Sequence, residues 1–163
     1  MDEPILDCLV IGGGPAGLTA AIYLARFHLD ILIVDAGKSR ASWIPCTRNV
    51  SGFPDGIEGT ELLERMREQA CKYGAKIVTE VVTKLERDEQ SGLFTATWGS
   101  GSATARTVLL ATGVTNPFTR HFTDLVPQKK DAKKSGVVAA PVSTGSFTTF
   151  TSSVLTRLVR PIG

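Results

Sequence analysis

Residues 12 to 17 read Gly-Gly-Gly-Pro-Ala-Gly, and this run limits what can form on either side of it. The apolar segment 6–11 precedes it, and Leu18, Ala21, Ile22 and Ala25 follow at spacings of three and four. The first segment reads as a strand buried on both faces, the second as the apolar stripe of a helix over 15–27. Pro15 suits the first turn of that helix, where its missing N–H costs nothing. The glycines of such a turn have separate tasks. Gly12 permits the sharp exit from the strand, Gly14 leaves bare backbone for a phosphate to approach, and Gly17 lets helix and strand pack closely. Unpaired N–H groups and partial positive charge at the helix mouth then favour an anion.

A second apolar strand, 31–34, ends at Asp35, 18 residues beyond Gly17. An acid at that place accepts hydrogen bonds from a ribose diol and repels a 2′-phosphate. Strand, glycine turn, helix, strand and acid together point to the ADP portion of a dinucleotide that is not NADP. Residue chemistry alone does not choose between FAD and NAD.

The rest of the pattern extends an α/β chain. Residues 38–59 form a long connection with Pro45, Pro54 and three glycines, of a length that is usually functional or disordered. A helix is predicted over 60–73, capped by Thr60, with Glu61 and Glu64 near its positive end. Its stripe is Leu63, Met66, Ala70 and Tyr73, and Gly74 stops it. A third parallel strand is expected at 76–79. Segments 81–86, 93–98 and 103–107 read as a small antiparallel meander, and 108–111 as a buried strand ending at Thr112-Gly113. The fold class is α/β: a Rossmann-like FAD/NAD(P)-binding half-domain, with a parallel sheet, helices and a β-meander, and incomplete.

The chain divides at residue 116 into a dinucleotide-binding domain (1–116) and an atypical basic tail (117–163). Residues 1–117 carry 11 Lys/Arg against 14 Asp/Glu, whereas 118–163 carry 7 against 2 together with 12 Ser/Thr. The tail is expected to be poorly ordered, with 153–159 its one candidate element. Its lysine cluster at 129–134 lacks interleaved aromatics and reads as a solvated run rather than a nucleic-acid or membrane contact. The uncharged stretch 8–25 has the length of a membrane span but holds four glycines and a proline, and acidic residues precede it. A cytoplasmic chain without membrane partner is expected.

Cys8, Cys46 and Cys71 show no CxxC or metal-like spacing, and Cys8 and Cys71 read as inert core or near-core thiols. His28 is placed to close the first helix; neither it nor His121 has a nucleophile at useful spacing, so no catalytic dyad and no metal cluster is expected.

Gly12 to Gly17, Asp35, the meander, and Val108-Leu109-Leu110-Ala111-Thr112-Gly113 together resemble the FAD half of the two-dinucleotide-domain disulfide reductases. Residues 39–45, 49–56 and 62–74 are similar to a bacterial subgroup of the thioredoxin reductase-like, low-molecular-weight class. The resemblance covers about residues 5–116. It implies FAD as the cofactor, with hydride passing from NADPH to the flavin and electrons then to a disulfide. By position it implies that Gly12, Gly13, Gly14, Pro15, Ala16 and Gly17 hold the pyrophosphate and that Asp35 holds the adenosine ribose. Ala36, Gly37, Lys38 and the loop to Trp43 would wrap the adenosine and diphosphate. Asn49 would approach the flavin, the backbone near Val82 would meet the adenine, and Ala111, Thr112 and Gly113 would line the cleft.

The chain departs from that family in three respects. Its 163 residues hold no second G-x-G-x-x-G, no CxxC and no returning Gly-Asp strand end, and Cys46 has no partner thiol. Residues 118–163 are expected to stand in place of the family's remaining sequence, through truncation, altered splicing or a frame change. NAD(P)H would then be a partner only if a second domain were supplied, and the chain alone would be inactive. Two functions remain open: a partial FAD-dependent oxidoreductase, or a non-catalytic module that binds FAD, NAD or ADP alongside a partner. A homodimer is also left open.

Overall fold

The computed structural model describes residues 4–113 and the strand at 137–139. Strand β1 (Leu6–Ile11) leads through the glycine turn into helix α1 (Pro15–Arg26) and back to β2 (Ile31–Val34). A long connection containing a short 3₁₀ turn (Arg40–Trp43) precedes helix α2 (Gly59–Lys72) and β3 (Lys76–Val78). Strands β4 (Val82–Arg87), β5 (Phe94–Trp98) and β6 (Gly101–Leu110) follow, and β7 is Val137–Ala139. All join one seven-stranded sheet in the order β3-β2-β1-β6-β5-β4, with β7 against β6.

The two segments expected at 103–107 and 108–111 are one continuous strand. Thr107, the polar residue that suggests a break, donates its hydroxyl to the Asp7 carbonyl at 2.7 Å, so β6 continues through it. The first half of β6 pairs antiparallel with β5 (Phe94↔Ala105, Trp98↔Gly101), and its second half pairs parallel with β1 (Leu9↔Val108, Ile11↔Leu110). β5 therefore leaves one edge of β6 uncovered beyond Ala105, and β7 occupies it at Val108↔Val137 to Leu110↔Ala139. No strand is expected there from the sequence. Residues 114–136 and 140–163, with the candidate element 153–159, the lysine cluster and His121, lie outside the described residues.

The sheet has to curl. β3 and β4 stand at its opposite ends, and six strands at ~4.8 Å spacing would lie about 24 Å apart if flat. Only Thr79-Glu80-Val81 joins them, a reach of about 14 Å at most. The buried residues record the result. Leu32 and Val34 of β2 share one core cluster with Val82, Leu85, Phe94 and Trp98 of the meander, which folds over one face. On the other face Cys8, Val10, Ile31 and Ile33 pack with Leu18, Ile22, Ala25, Leu63 and Ala70 of the helices. Alternation along β1, with Leu9 and Ile11 on one side and Cys8 and Val10 on the other, supplies both cores from one strand.

Both helices end in Schellman geometry. After α1, His28 adopts φ 60°; its N–H donates to the Ala25 carbonyl at 2.9 Å, and Leu29 N–H donates to Leu24. His28 thus closes the helix through its backbone. After α2, Gly74 at φ 98° donates to Cys71, and Ala75 donates to Ala70. The start of α2 differs from expectation. Glu58, not Thr60, occupies the cap position, and the Thr60 hydroxyl donates instead to Glu58 Oε1 at 2.6 Å. The helix begins earlier because Gly59 N–H donates to the Ile44 carbonyl at 3.0 Å and its Cα lies against the Ala41 carbonyl. Residues 38–58 are thereby held to the body, with a further bridge between Thr47 and Ile57.

Candidate functional site

The four glycines of the turn have sharply different surroundings. Gly12 takes φ 110°, a left-handed conformation, and a Cβ there would overlap the Ala111 carbonyl, whose carbon would lie 2.7 Å away. Gly17 sits in α1 directly above the Gly12 carbonyl, with Val10 Cγ1 at 3.2 Å from an added Cβ. Gly13 has ordinary φ, but a Cβ would overlap the Asp35 carboxylate and lie 2.7 Å from Asp35 Cβ. At Gly14 an added Cβ would meet only Ser39 Oγ, at 3.3 Å. Three glycines are closed by the protein's own atoms, and the fourth opens outward.

Gly14 is also the N-cap of α1, at φ −78° and ψ 179°. No side chain caps the helix and its first turn holds no acidic residue, so the first-turn N–H groups and the positive dipole end are left for an anion. Pro15 and Ala16 are exposed at this mouth. The close approach of Gly12 to Ala111 brings the β1 exit beside the β6 exit, and Ala111 N–H donates to the Ile11 carbonyl at 2.8 Å. Ala111, Thr112 and Gly113 therefore stand next to the glycine turn, with Gly113 exposed.

Asp35 is the buried charged residue of the site, 6% exposed. Its Oδ1 accepts from Gly37 N–H at 3.1 Å and its Oδ2 from Arg67 Nη2 at 3.0 Å. Its backbone ties β2 to the β3–β4 link: Asp35 N–H donates to Val78, and Glu80 N–H donates to Asp35, at 2.9 and 3.1 Å. Ala36, Gly37 and Lys38 are exposed beyond it, and Thr79 Cγ2 lies 3.7 Å from a Cβ added at Gly37. The Asp35 end of β2 thus reaches the residues just before Val82, while Val82 itself packs into the meander core.

Trp43, 72% exposed, ends the 3₁₀ turn, which Ser39 caps by accepting from Ala41 N–H. Asn49 is exposed, and its Oδ1 accepts from the Thr47 hydroxyl at 2.6 Å. Gly12–Gly17, Asp35–Gly37 and Ala111–Gly113 come together around one mouth, whereas Trp43 and Asn49 stand on the long connection.

Arg67 is absent from the sequence-derived set, and Ser39 enters it only as part of the loop to Trp43. Arg67 carried a signal: it lies four residues after Leu63 and three before Ala70, on the apolar side of α2, where a cation needs a partner. Cys71 corrects an expectation. One position past Ala70 it turns about 100° off the buried stripe and is exposed, as is Cys46; Cys8 is buried. Burial is the main influence that pushes the Cys8 thiol above its ordinary range. An aromatic disulfide reagent should therefore titrate Cys46 and Cys71 in the folded chain, and Cys8 only after denaturation. A rapid third equivalent before denaturation would contradict this burial.

Among the described residues no group of three or more His, Cys, Asp or Glu could hold a metal ion, and no helix is long and apolar enough to cross a membrane.

A curled sheet with a glycine turn at the β1 exit and an acid at the β2 exit defines a Rossmann-type nucleotide fold of the oxidoreductases. The model of the pyridine nucleotide-disulphide oxidoreductase family matches residues 6–138, and this chain belongs to that family. Within it the likeness is to thioredoxin reductases. That of Pneumocystis jirovecii is 34% identical over 155 residues, 90% of this chain and 46% of the relative. That of Schizosaccharomyces pombe is 38% identical over 117 residues, 64% of this chain and 35% of the relative. Among solved structures, a thioredoxin reductase from Gloeobacter violaceus superposes with a TM-score of 0.63 at 33% identity, covering 68% of this chain and 35% of that one. The chain thus spans less than half the length of each. The family match also runs past residue 117 and reaches into β7.

Proposed function

We propose that the mouth between β1, β2 and β6 binds the ADP half of FAD, and that the chain is the FAD-binding part of a thioredoxin reductase-like oxidoreductase. Gly14 carries this reading. A fold that needed glycine only for its own packing would use Gly12, Gly13 and Gly17, against which carbonyl and carboxylate atoms already press. At Gly14 an added Cβ would meet only one side-chain oxygen, Ser39 Oγ at 3.3 Å, so its bareness serves something outside the protein. The pyrophosphate would lie along Gly13 to Gly17, accept from the N–H groups at the start of α1, and meet the positive end of its dipole. Asp35 uses one hydrogen bond at each oxygen and retains acceptor capacity for a ribose diol. Ala36 to Trp43 would cover the adenosine side, and Ala111 to Gly113 would bound the cleft. Bound FAD would supply the hydride and electron transfer; the chain's part is to hold and orient it.

Gly14→Val tests this because the Cβ it adds would meet only Ser39 Oγ, at 3.3 Å, within the protein. The variant should keep the wild-type circular dichroism spectrum, with a melting point lowered by a few degrees at most for the lost N-cap glycine, while FAD binding, read by quenching of flavin fluorescence, weakens at least about tenfold. Undiminished binding would sink the proposal. The same titration with NAD and ADP separates a flavoprotein from a nucleotide module without flavin preference. The single thiol of the flavin-side loop, Cys46, donates to the Asp55 carbonyl at 3.8 Å and gives no support to a disulfide exchange within this segment.

A further inference from the structure

Arg67 of α2 reaches the end of β2, 32 residues earlier in the chain, and places Nη2 3.0 Å from Asp35 Oδ2. The Asp35 side chain is 8% exposed and that of Arg67 33% exposed, so Arg67 is the more solvent-accessible member of the pair. The Asp35 carboxylate is fixed on three sides: by Gly13 above, by the Gly37 N–H, and by Arg67. A guanidinium has five N–H donors in a planar fork; one meets Asp35 Oδ2, the carboxylate that the reading above assigns to the sugar.

We propose that Arg67 is the residue that sets specificity at the ribose 2′ position, a step that rests on the dinucleotide reading above. While paired, Arg67 is committed to Asp35 and is not free to meet another anion. The carboxylate can accept from neutral hydroxyls, and a 2′-phosphate meets Asp35's negative charge with no unpaired cation to offset it. Without the carboxylate, Arg67 becomes a solvent-reachable fork whose geometry matches a phosphate. The site therefore contains a 2′-phosphate receptor held out of use by Asp35.

The full 163-residue chain would be titrated by calorimetry with ADP and with 2′-phospho-ADP. The wild type should prefer ADP by about tenfold or more. Asp35→Asn, which keeps an oxygen for the Gly37 N–H but cannot pair ionically, should shift the ratio at least about tenfold toward 2′-phospho-ADP. Adding Arg67→Met to it should remove that gain while changing ADP affinity less than about threefold. Arg67→Met alone, which leaves Asp35 unopposed, should shift the ratio about fivefold further toward ADP, and this arm stands even if the Asp35 variants fail to fold. A structural role for Arg67 would lower both affinities together and leave the ratio alone. A ratio indifferent to both residues, in a protein that binds ADP through Gly14, overturns the assignment of Arg67 only. A wild type that binds neither ADP nor FAD overturns the dinucleotide reading and this one with it.

Discussion

Gly12→Ala should cost the fold about 4 kcal/mol, a large part of the stability of a domain this size. Two independent effects add. At φ 110° an alanine Cβ is strained, at about 1–3 kcal/mol. The same Cβ would drive into the Ala111 carbonyl, with the carbonyl carbon 2.7 Å away. That atom belongs to backbone held by the Ala111 N–H to Ile11 carbonyl hydrogen bond at 2.8 Å, so it cannot swing aside as a side chain would. Overpacking of this sort costs about another 1–3 kcal/mol. With a typical urea dependence of about 2 kcal/mol per molar, the unfolding midpoint should fall by about 2 M. A shift under about 0.5 M would mean that β1 and β6 part easily at their exits, and that the mouth described above is not rigid.

Gly13→Ala should be nearly as damaging for a different reason. Its backbone is acceptable to alanine; what blocks the Cβ is the Asp35 carboxylate, with Asp35 Cβ at 2.7 Å as well. To admit the methyl group Asp35 must move, and moving it breaks the bonds to Gly37 and Arg67. The expected loss is about 3 kcal/mol. In the double variant Gly13→Ala/Asp35→Gly the obstacle is gone, so the two costs should fall short of additivity by at least about 1.5 kcal/mol in a double-mutant cycle followed by urea unfolding. Strictly additive costs would show that the contact between Gly13 and Asp35 is not what requires glycine there.

Much of this site could be read from the chain before any coordinates. The turn, the strand before it and the helix after it follow from glycine spacing and apolar periodicity, signals that depend only on neighbours in sequence. Leu6–Ile11 and Ile31–Val34 have the expected ends, and α1 stops one residue early because His28 caps it through the left-handed conformation. The misreadings share another cause. The division of β6 at Thr107, the missed pairing of β7 with Val108–Leu110, and the cap of α2 all depend on partners distant in the chain. Local pattern does not record that Asp7 accepts from Thr107, or that Ala41 and Ile44 press against Gly59. The same holds within the site. Asp35 was visible because it sits at a fixed distance from the glycines, whereas Arg67 joins it across 32 residues and only its awkward place on an apolar stripe betrays it.

β6 bears on how the molecule could be taken apart. Its ten residues serve the meander through Gly101–Ala105 and the helix-covered sheet through Ala105–Leu110, with Ala105 shared by both pairings. Neither layer can then melt without pulling on the other's central strand, so they should come undone as a single cooperative unit. The hairpin is not a detachable module: exchanging it for that of a relative would also reset the strand that carries Ala111, Thr112 and Gly113 to the nucleotide mouth.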